Sequence, residues 1–395
     1  MRNNFILMIL AGMAAGIVLA LLLPGASAIG LLGTVFVGAL KAMAPLLVFL
    51  LVCSSVANIQ SGVKSRFATV IALYAISTIL AAVVAVCGSR IWPVTMTLAE
   101  GAQSSGPQSL TDVFGTLLSS IVANPVDSLA NGNYIGILFW AILTGIALKL
   151  CKGGKALEVI SELSDAISLI IKWVIKFAPL GILGLVYNSV AGNGLAIFEE
   201  YGRLVLLLVG CMLTVALVVN PLIAFLFTRT NPYPLLWQCL KESGVSAFFT
   251  RSSAANIPFN ITLCHKLGVD ESFYSVSIPL GSTINMNGAA VTITVMTLCV
   301  CNTVGIEVGI GQALVLCVVA ALAACGSSGV AGGSLLLIPM ACSLFNIGSD
   351  IASQAVAVGF IIGVVQDSFE TALNSSADVF FTAIADRRRG ASPRK

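Results

Sequence analysis

The chain has 395 residues, of which 58% are hydrophobic and only 9% are charged. Ordinary soluble domains carry about 25% charged residues, and a soluble protein of this length needs far more polar surface to cover its core. The composition therefore excludes a soluble enzyme, a nucleic-acid-binding protein and a disordered protein, and it indicates a chain that lies in the lipid bilayer. The net charge of +3 comes from an arginine-rich C-terminal segment, which we interpret as a cytoplasmic anchor.

Candidate membrane-spanning helices follow one another along the chain. Roughly 20 apolar residues are needed to cross the hydrocarbon core, and eight stretches qualify. They comprise residues 5–23, 29–59, 67–91, 134–150, 167–190, 204–227, 273–304 and 351–385. Lysine and arginine gather in alternate connections between them, so the positive-inside rule places both chain ends in the cytoplasm. The first stretch imitates a secretory signal, but its apolar run is too long, and we interpret it as an uncleaved span.

Two further stretches, residues 234–265 and 310–345, have apolar arms of about half-membrane length around a break rich in Ser or Gly. The charge pattern requires each to return to the side it came from, so we predict two re-entrant helical hairpins, one from each face. Non-helical backbone at membrane depth is tolerated only where it is buried in protein or lines a cavity. Opposed broken helices are typical of inverted repeats with a central binding site. Alternatively, the small residues only permit close helix packing.

The last predicted span carries a stripe of polar residues. Its members are Asp367, Glu370, Thr371, Asn374 and Asp378. At roughly 100° per residue they fall within about 100° of one helix face. Carboxylates on a membrane helix are costly unless they line a cavity or meet cations, so the stripe predicts ligands for a substrate ammonium group and for a small cation. Asn374 can donate a hydrogen bond to a substrate carboxylate through its NH2 group and coordinate a cation through its oxygen. A structural partnership with Arg251 or with a neighbouring helix is the alternative for any single acid.

Two other features add to this hypothesis. The seventh span is interrupted at residues 281–288, after Pro279, where freed carbonyls and Asn285 could form an oxygen cage for a cation. A plain kink is the alternative. Arg251 lies at the tip of the first predicted hairpin. Either it pairs with Asp367 or Glu370 in one transport state, or it faces the cytoplasm at the hairpin mouth.

These segments resemble the dicarboxylate/amino acid:cation symporter family, which includes the glutamate transporter homologues. The resemblance covers nearly the whole chain and rests on four motifs in the family's order. The first two are the serine-rich tip at 250–258 and Asn285-Met286-Asn287-Gly288, where the family has Asn-Met-Asp-Gly. The others are the glycine-rich tip at 326–334 and, in the last helix, Asp367, Thr371, Asn374 and Asp378.

The resemblance implies an all-α polytopic membrane protein with eight transmembrane helices, two re-entrant hairpins and inverted repeats, which assembles as a homotrimer and works as an elevator. The implied scaffold comprises helices 1–2 (residues 1–65) and helices 4–5 (93–200). The implied transport unit comprises helix 3 (66–92), helix 6 (201–232), hairpin 1 (233–266), helix 7 (267–308), hairpin 2 (309–348) and helix 8 (349–386). A basic cytoplasmic tail (387–395) follows.

The resemblance also implies roles for individual residues. Asp367 and Thr371 would bind the substrate ammonium group and Asn374 its carboxylate. The serines of the first tip and the backbone of the second would close around the substrate, namely Ser252, Ser253, Val330 and Gly332. One sodium ion would bind among Gly281, Asn285, Asn374 and Asp378. A second would bind between Thr283 and the carbonyls of Ala324, Cys325 and Ser327.

Three departures from the family pattern concern specificity and coupling. Glu370 replaces the arginine that pairs with acidic substrates in glutamate and aspartate carriers, and Ala289 replaces a threonine. A carboxylate facing a carboxylate in a dry site is repulsive by several kcal/mol, whereas Glu370 can accept a hydrogen bond from a substrate hydroxyl. Asn287 replaces the acid of a third sodium site, which in the family also uses the positions of Tyr74, Ser77 and Thr78. We therefore predict fewer coupled sodium ions.

The sequence thus predicts a sodium-coupled importer of serine and threonine in a bacterial inner membrane, with lipid and amino-acid partners and no nucleic acid. Within the family, carriers of serine and threonine are the most similar. Other small neutral or acidic amino acids, proton coupling at Asp378 or Glu370, and a channel on the same fold remain alternatives. An intramembrane enzyme with a Ser252 or Ser253 nucleophile lacks a visible general base. The 11 cysteines are interpreted as small core residues, and no metal centre is expected.

Overall fold

The computed structural model describes residues 2–58, 65–98, 123–131, 133–151, 154–195, 197–327 and 332–387. The regular elements in these ranges are all helical, which confirms the predicted class. The first seven are α1 (Arg2–Leu22), α2 (Ser27–Asn58), α3 (Ser65–Ile91), α4 (Pro125–Asn131), α5 (Tyr134–Leu150), α6 (Gly154–Lys176) and α7 (Ala178–Asn193).

The remaining helices carry the polar motifs. Two of them contain a π-helical turn: α8 (Ile197–Thr214, Val215–Val219, Asn220–Thr228) and α9 (Tyr233–Cys239, Leu240–Gly244, Val245–Thr250). Next come α10 (Ser253–Lys266), α11 (Glu271–Ile284), α12 (Asn287–Val304) and α13 (Ile310–Ala324). A 3-10 turn (Gly333–Leu337) leads into α14 (Ile338–Ser343), and α15 (Ser349–Arg387) is last.

By length and apolar composition, four helical segments of the described chain can cross a membrane. They are Arg66–Ile91, Ile197–Thr228, Glu271–Val304 and Ser349–Asp386. The pair α6 and α7 would be a fifth, and shorter apolar helices lie in α1, α2, α5 and α13. The described residues of the predicted apolar stretches are helical except for Leu23, Phe177 and the pair Asn285 and Met286, in agreement with a polytopic membrane protein.

The predicted span at 167–190 is not one straight helix. The chain bends by 56° between α6 and α7, and the break falls at Phe177. The amide of Phe177 donates to the carbonyl of Val174 at 3.0 Å, three residues back. Pro179, which follows at the start of α7, has no N–H to continue the helical ladder. Two helices therefore replace one straight helix.

Helices α1, α2, α5, α6 and α7 pack against one another and form a first group. Their crossings are close because glycines face backbone. A Cβ at Gly33 would lie 2.6 Å from the amide nitrogen of Leu185, and one at Gly145 would lie 2.7 Å from the carbonyl oxygen of Cys53. Small residues are the usual means by which membrane helices approach this closely, since they maximise van der Waals contact.

The second group is centred on α12 and α15. Helix α12 is buried continuously from Asn287 to Cys301, because α3, α13 and α15 pack around it. Helix α15 contacts α8, α9, α10, α11 and α12. The polar residues of α15 are therefore surrounded by protein, which is the condition under which such residues are tolerated in a membrane helix.

Helices α9 and α10 run antiparallel and form the first predicted hairpin. The ion pair between Lys266 Nζ and Glu242 Oε2 (2.8 Å) joins the C-terminal end of α10 to the middle of α9. Closer to the tip, Ser243 Oγ donates to Asn260 Oδ1 at 2.6 Å. The chain reverses at Arg251, which has a left-handed backbone (φ 47°), and Ser252 caps α10 by accepting a hydrogen bond from the amide of Ala255. The arms of the second predicted hairpin are α13 and the segment Gly333–Ser343.

Candidate functional site

The polar stripe of α15 lies inside the protein. Its five residues are each 5% exposed or less. They face α11, α12 and the two hairpin tips through the contacts described below. The stripe divides into an end formed around Asp378 and Asn285, and an end formed around Asp367 and Arg251, with Glu370 and Asn374 between them.

The Asp378 end contains two buried oxygens without partners. Asn285 Nδ2 donates to Asp378 Oδ1 at 2.8 Å. Asn285 Oδ1 and Asp378 Oδ2 have no hydrogen-bond partner among the residues that the structure describes. A buried carboxylate with an unsatisfied oxygen is costly, and hard oxygen donors of this kind are what small cations prefer. The arrangement therefore fits a cation.

Gly281 is required for this arrangement. A Cβ at Gly281 would lie 2.8 Å from Asp378 Oδ1 and 2.9 Å from Tyr74 Oη. The Tyr74 hydroxyl lies within hydrogen-bond distance of Thr382 Oγ1 (2.9 Å) and of the carbonyl oxygen of Asp378 (3.2 Å). The tyrosine thus supports the α15 backbone at the carboxylate, and only a residue without a side chain fits opposite.

The predicted interruption of the seventh span is confirmed as a break between α11 and α12. Asn285 (φ −97°, ψ 74°) and Met286 (φ −112°, ψ 56°) leave the helical conformation. The freed amide of Gly288 donates to Asn374 Oδ1 at 2.7 Å, and Asn374 Nδ2 points to Met286 Sδ at 3.4 Å. Asn374 therefore joins the broken helix to the polar stripe.

At the other end, Arg251 pairs with Asp367. Its Nε lies 3.9 Å from Asp367 Oδ2, and the two side chains are only 11% and 7% exposed. Arg251 is therefore an internal partner of the stripe, and of the two predicted alternatives the structure contains the pairing. The amide of Gly332, in the left-handed region (φ 72°), donates to Asp367 Oδ1 at 3.3 Å. Asp367 thus contacts both hairpin tips.

One carboxylate oxygen of Glu370 accepts three hydrogen bonds. Its Oε2 accepts from Thr292 Oγ1 (2.7 Å), from Ser334 Oγ (2.8 Å) and from Gln366 Nε2. All three donors and Glu370 itself are buried. The sequence predicted that Glu370 accepts from a substrate hydroxyl, with a partnership with a neighbouring helix as the alternative for any single acid. The hydrogen bond from Thr292 of α12 is such a partnership.

A small cavity adjoins the Arg251–Asp367 pair. It lies between the two helix groups, because its walls come from both. The first group contributes Ile9, Ile175, Ala178 and Ile182, and the second contributes Arg251, Gly332, Leu335, Phe360, Gly363, Val364 and Asp367. Phe36 of α2 and Phe360 of α15 meet edge to face beside it, with ring centroids 5.3 Å apart.

The sequence matches the sodium:dicarboxylate symporter family over residues 5–388. The chain belongs to that family. The serine/threonine transporter SstT of Bifidobacterium adolescentis is 56% identical over 384 residues, which cover 97% of this chain and 89% of that protein. The proteins of the same name from Streptococcus agalactiae serotypes III and Ia are each 53% identical over 388 residues, which cover 98% of this chain and 96% of theirs.

Membership of the symporter family confirms the resemblance drawn from the four motifs. It also confirms that the protein is a transporter and not an enzyme, because the relatives are transporters. The family implies a small-molecule substrate, a coupling cation and a membrane setting. The contacts of the residues that depart from the family pattern therefore bear on what this symporter carries and with how many ions.

The position of the missing family acid is filled by a neutral network. Asn287 Nδ2 donates to Ser77 Oγ at 2.7 Å, and Asn287 Oδ1 accepts from Thr78 Oγ1 at 2.9 Å. Ser77 Oγ donates onward to Asn220 Oδ1 at 2.6 Å. Every member is buried. Both polar atoms of the Asn287 amide are bonded to protein, so the side chain offers a cation neither a free oxygen nor a negative charge. Ala289, at the neighbouring departure, is fully buried.

The other predicted ligands lie near the C-terminal ends of α11 and α13. Cys325 Sγ contacts the carbonyl oxygen of Ile284 at 3.6 Å, which brings these two helix ends together. Thr283 Oγ1 donates to its own helix at Leu280, and the Ala324 carbonyl accepts from both the amide (3.0 Å) and the hydroxyl (2.8 Å) of Ser327. Ser253 is buried at the first tip. Val330 lies outside the described residues.

Sequence reasoning missed Thr292, Ser334 and Gln366 as functional candidates. Gln366 stands four residues before Glu370 on the same helix, a spacing at which side chains meet. A polar residue on an apolar membrane helix is itself a signal of a functional or structural partner. Thr292 and Ser334 are small hydroxyl residues that are common in membrane helices, so their types and positions gave no comparable signal.

Proposed function

We propose that this protein is a sodium-coupled importer of serine and threonine. The observation that carries the coupling is the pair of buried oxygens, Asn285 Oδ1 and Asp378 Oδ2, without partners among the described residues. The proposal of the substrate is supported by the relatives, which are named serine/threonine transporters over nearly the full length of this chain. It is also supported by the buried acids of α15, since an amino-acid substrate brings one ammonium group.

Asp367 and Thr371 bind the substrate ammonium group in this proposal, and Asn374 binds its carboxylate. Asp367 already faces Arg251 (3.9 Å) and the amide of Gly332, so an incoming ammonium group meets an anion at the junction of both hairpin tips. Ser252, Ser253 and the backbone at Val330 and Gly332 enclose the substrate. Glu370 disfavours acidic substrates because it adds a second buried carboxylate to the stripe.

Sodium is carried as a co-substrate. The first ion binds among Gly281, Asn285, Asn374 and Asp378. A second ion binds near Thr283, Ala324, Cys325 and Ser327, where the ends of α11 and α13 meet. The third sodium site of the family binds no ion in this proposal, because the polar groups of Asn287, Ser77 and Thr78 bond one another and none carries a charge. Fewer ions are therefore coupled than in carriers with the family acid.

The architecture follows the family's elevator mechanism in this proposal, with eight spans, two re-entrant hairpins and inverted repeats. The packing into two groups supports it, since α1, α2 and α5–α7 form one body and α3 with α8–α15 forms another. The first would be the fixed scaffold of a homotrimer and the second the moving transport unit. The helices of the first body all lie within the ranges proposed for the scaffold, residues 1–65 and 93–200. The protein lies in the bacterial inner membrane, and both ends are cytoplasmic.

Uptake of labelled serine into proteoliposomes tests the proposal. An imposed inward sodium gradient should drive serine accumulation, and unlabelled threonine should compete whereas aspartate should not. Replacing sodium by choline under an imposed proton gradient should abolish uptake. Accumulation driven by protons alone would reject sodium coupling, competition by aspartate would reject the specificity argument, and ion flux without substrate would indicate a channel.

A further inference from the structure

The three donors to Glu370 come from three separate segments. Thr292 belongs to α12, Gln366 belongs to α15, and Ser334 belongs to the 3-10 turn Gly333–Leu337 of the second hairpin. The donor side chains are buried, and Thr292 and Ser334 have no measurable exposure. Water is therefore not available to replace any of them.

The hairpin turn is held at two neighbouring points. The amide of Gly332 donates to Asp367 at 3.3 Å, and the hydroxyl of Ser334 donates to Glu370 at 2.8 Å. The two acceptors stand three residues apart on α15, on one face of the helix. Two residues of the hairpin therefore lie opposite two acids of α15. Gly332 bonds Asp367, and Ser334 bonds Glu370.

Glu370 is the fixed side of this contact. A Cβ at Gly288 would lie 2.8 Å from Glu370 Cα, so α12 and α15 are in direct backbone contact at this level. Thr292 and Gln366 hold the carboxylate from those same two helices. When the bond to Ser334 breaks, the hairpin has to move, since the carboxylate retains its other partners.

We propose that Glu370 is a positioning residue that holds the second hairpin closed over the site through Ser334. The proposal rests on the proposed function only in that the covered site is the substrate site. It differs from a direct role of Glu370, in which the carboxylate accepts from the substrate hydroxyl. In a direct role, the effect of a Glu370 substitution depends on which substrate is carried. In a positioning role, it depends on whether Ser334 is present.

Alkylation of Cys325 reports on the hairpin. Cys325 is half-buried and ends the first arm, with its thiol 3.6 Å from the Ile284 carbonyl. The variants to compare are Ser334→Ala, Glu370→Gln and the double variant. Thr292→Val removes the hydrogen bond to the same oxygen and the one that Thr292 accepts from Gln366, both between α12 and α15. Ser343→Ala removes a hydroxyl of the second arm that bonds its own helix at Met340. Maleimide labelling of Cys325 is followed by peptide mass spectrometry, without substrate.

We expect Ser334→Ala and Glu370→Gln each to raise the Cys325 labelling rate about fivefold, and the double variant to add nothing, because one bond is broken in all three. Thr292→Val and Ser343→Ala should label as the wild type does. In uptake, KM should rise by one common factor for serine, threonine and alanine, with kcat little changed.

Wild-type labelling in Ser334→Ala, or multiplying effects in the double variant, would overturn the proposal. A rate in Thr292→Val as high as in Ser334→Ala would also overturn it, because the effect would then be a general loss of packing. A loss of serine-over-alanine preference in Glu370→Gln alone would assign the direct role instead. Labelling needs no transport, so absence of serine uptake in the wild type would reject the proposed function and leave this test intact.

Discussion

Asn285 Nδ2 donates to Asp378 Oδ1 at 2.8 Å, and neither Asn285 Oδ1 nor Asp378 Oδ2 has a hydrogen-bond partner in the described part of the chain. This hydrogen bond brings the two side chains together, so both unpartnered oxygens are buried at the break between α11 and α12. Without a bound cation this arrangement is costly, because an unsatisfied buried carboxylate destabilises the fold. A bound cation removes that cost, which is why the pair is the centre of the proposed coupling site.

Asp378→Asn should weaken sodium binding by about 2 kcal/mol, which is about thirtyfold, because it removes the only anionic oxygen proposed for the first ion. The sodium concentration for half-maximal serine uptake measures this. Glu307→Gln, which neutralises an exposed acid, is the matched control and should behave as the wild type. An unchanged sodium requirement in Asp378→Asn would contradict the assignment.

Gly281→Ala should disturb the same site by steric contact. The new Cβ would meet Asp378 Oδ1 and Tyr74 Oη at less than a van der Waals separation, at a cost of about 1–3 kcal/mol. We expect a lower melting temperature and weaker sodium stabilisation in detergent. Gly202→Ala, where no atom lies within 4 Å of the new carbon, should leave both unchanged. Equal behaviour of the two variants would show that Gly281 is not needed for close approach.

Asn287→Asp should raise the number of sodium ions per serine. The change replaces the Nδ2 donor to Ser77 by a carboxylate oxygen, while the other oxygen keeps Thr78 as its donor, and a buried acid needs a cation. The ratio is measured from the membrane voltage at which serine flux reverses under fixed gradients. The variant should also be less stable without sodium than with it. Asn231→Asp, an exposed change that keeps the acceptor for Tyr233, is the control, and an unchanged ratio in Asn287→Asp would refute the argument.

Arg251→Ala should tighten serine binding. The substrate ammonium group has to compete with the guanidinium 3.9 Å from Asp367, and removal of that competitor leaves a buried acid that only the substrate can neutralise. We expect at least about a fivefold lower Kd, or ~1 kcal/mol, together with a lower melting temperature without substrate. Calorimetric titration measures the first. Arg203→Ala, from an exposed pair with Glu199, is the control. Unchanged affinity and transport would reject the pairing as functional.

The connection between α10 and α11 gives a pH-dependent prediction. The Ser272 hydroxyl, and then Arg66, hold the pKa of Asp270 below its ordinary value. A lowered folded-state pKa means that this stabilisation is complete above the unfolded pKa of about 3.9 and is lost as the pH falls through the folded value. The melting temperature of the wild type should exceed that of Asp270→Asn at pH 7, and the difference should vanish at the acid end. A difference that grows on acidification would contradict this sign.

The sequence alone determined the membrane class, the apolar stretches, the order of the four motifs and the inward stripe of α15. These features are local: composition selects the solvent, and a helical repeat places Asp367, Glu370, Asn374 and Asp378 on one face whatever surrounds them. The break at 285–286 was also legible, because Pro279 and the following Gly and Asn residues weaken the helical ladder.

Only the tertiary structure decided which polar atoms meet. Glu370 takes its donors from positions 78 and 36 residues away as well as from its own helix, and Arg251 reaches Asp367 across the hairpin junction. Pro179 explains the break at Phe177 locally, but the packing of α1 and α2 against α7 is a contact between distant segments. Hydrogen-bond partners and helix directions are set by contacts between segments distant in sequence, and each buried polar atom has to be satisfied by whatever those contacts bring near it. A local pattern cannot specify that choice.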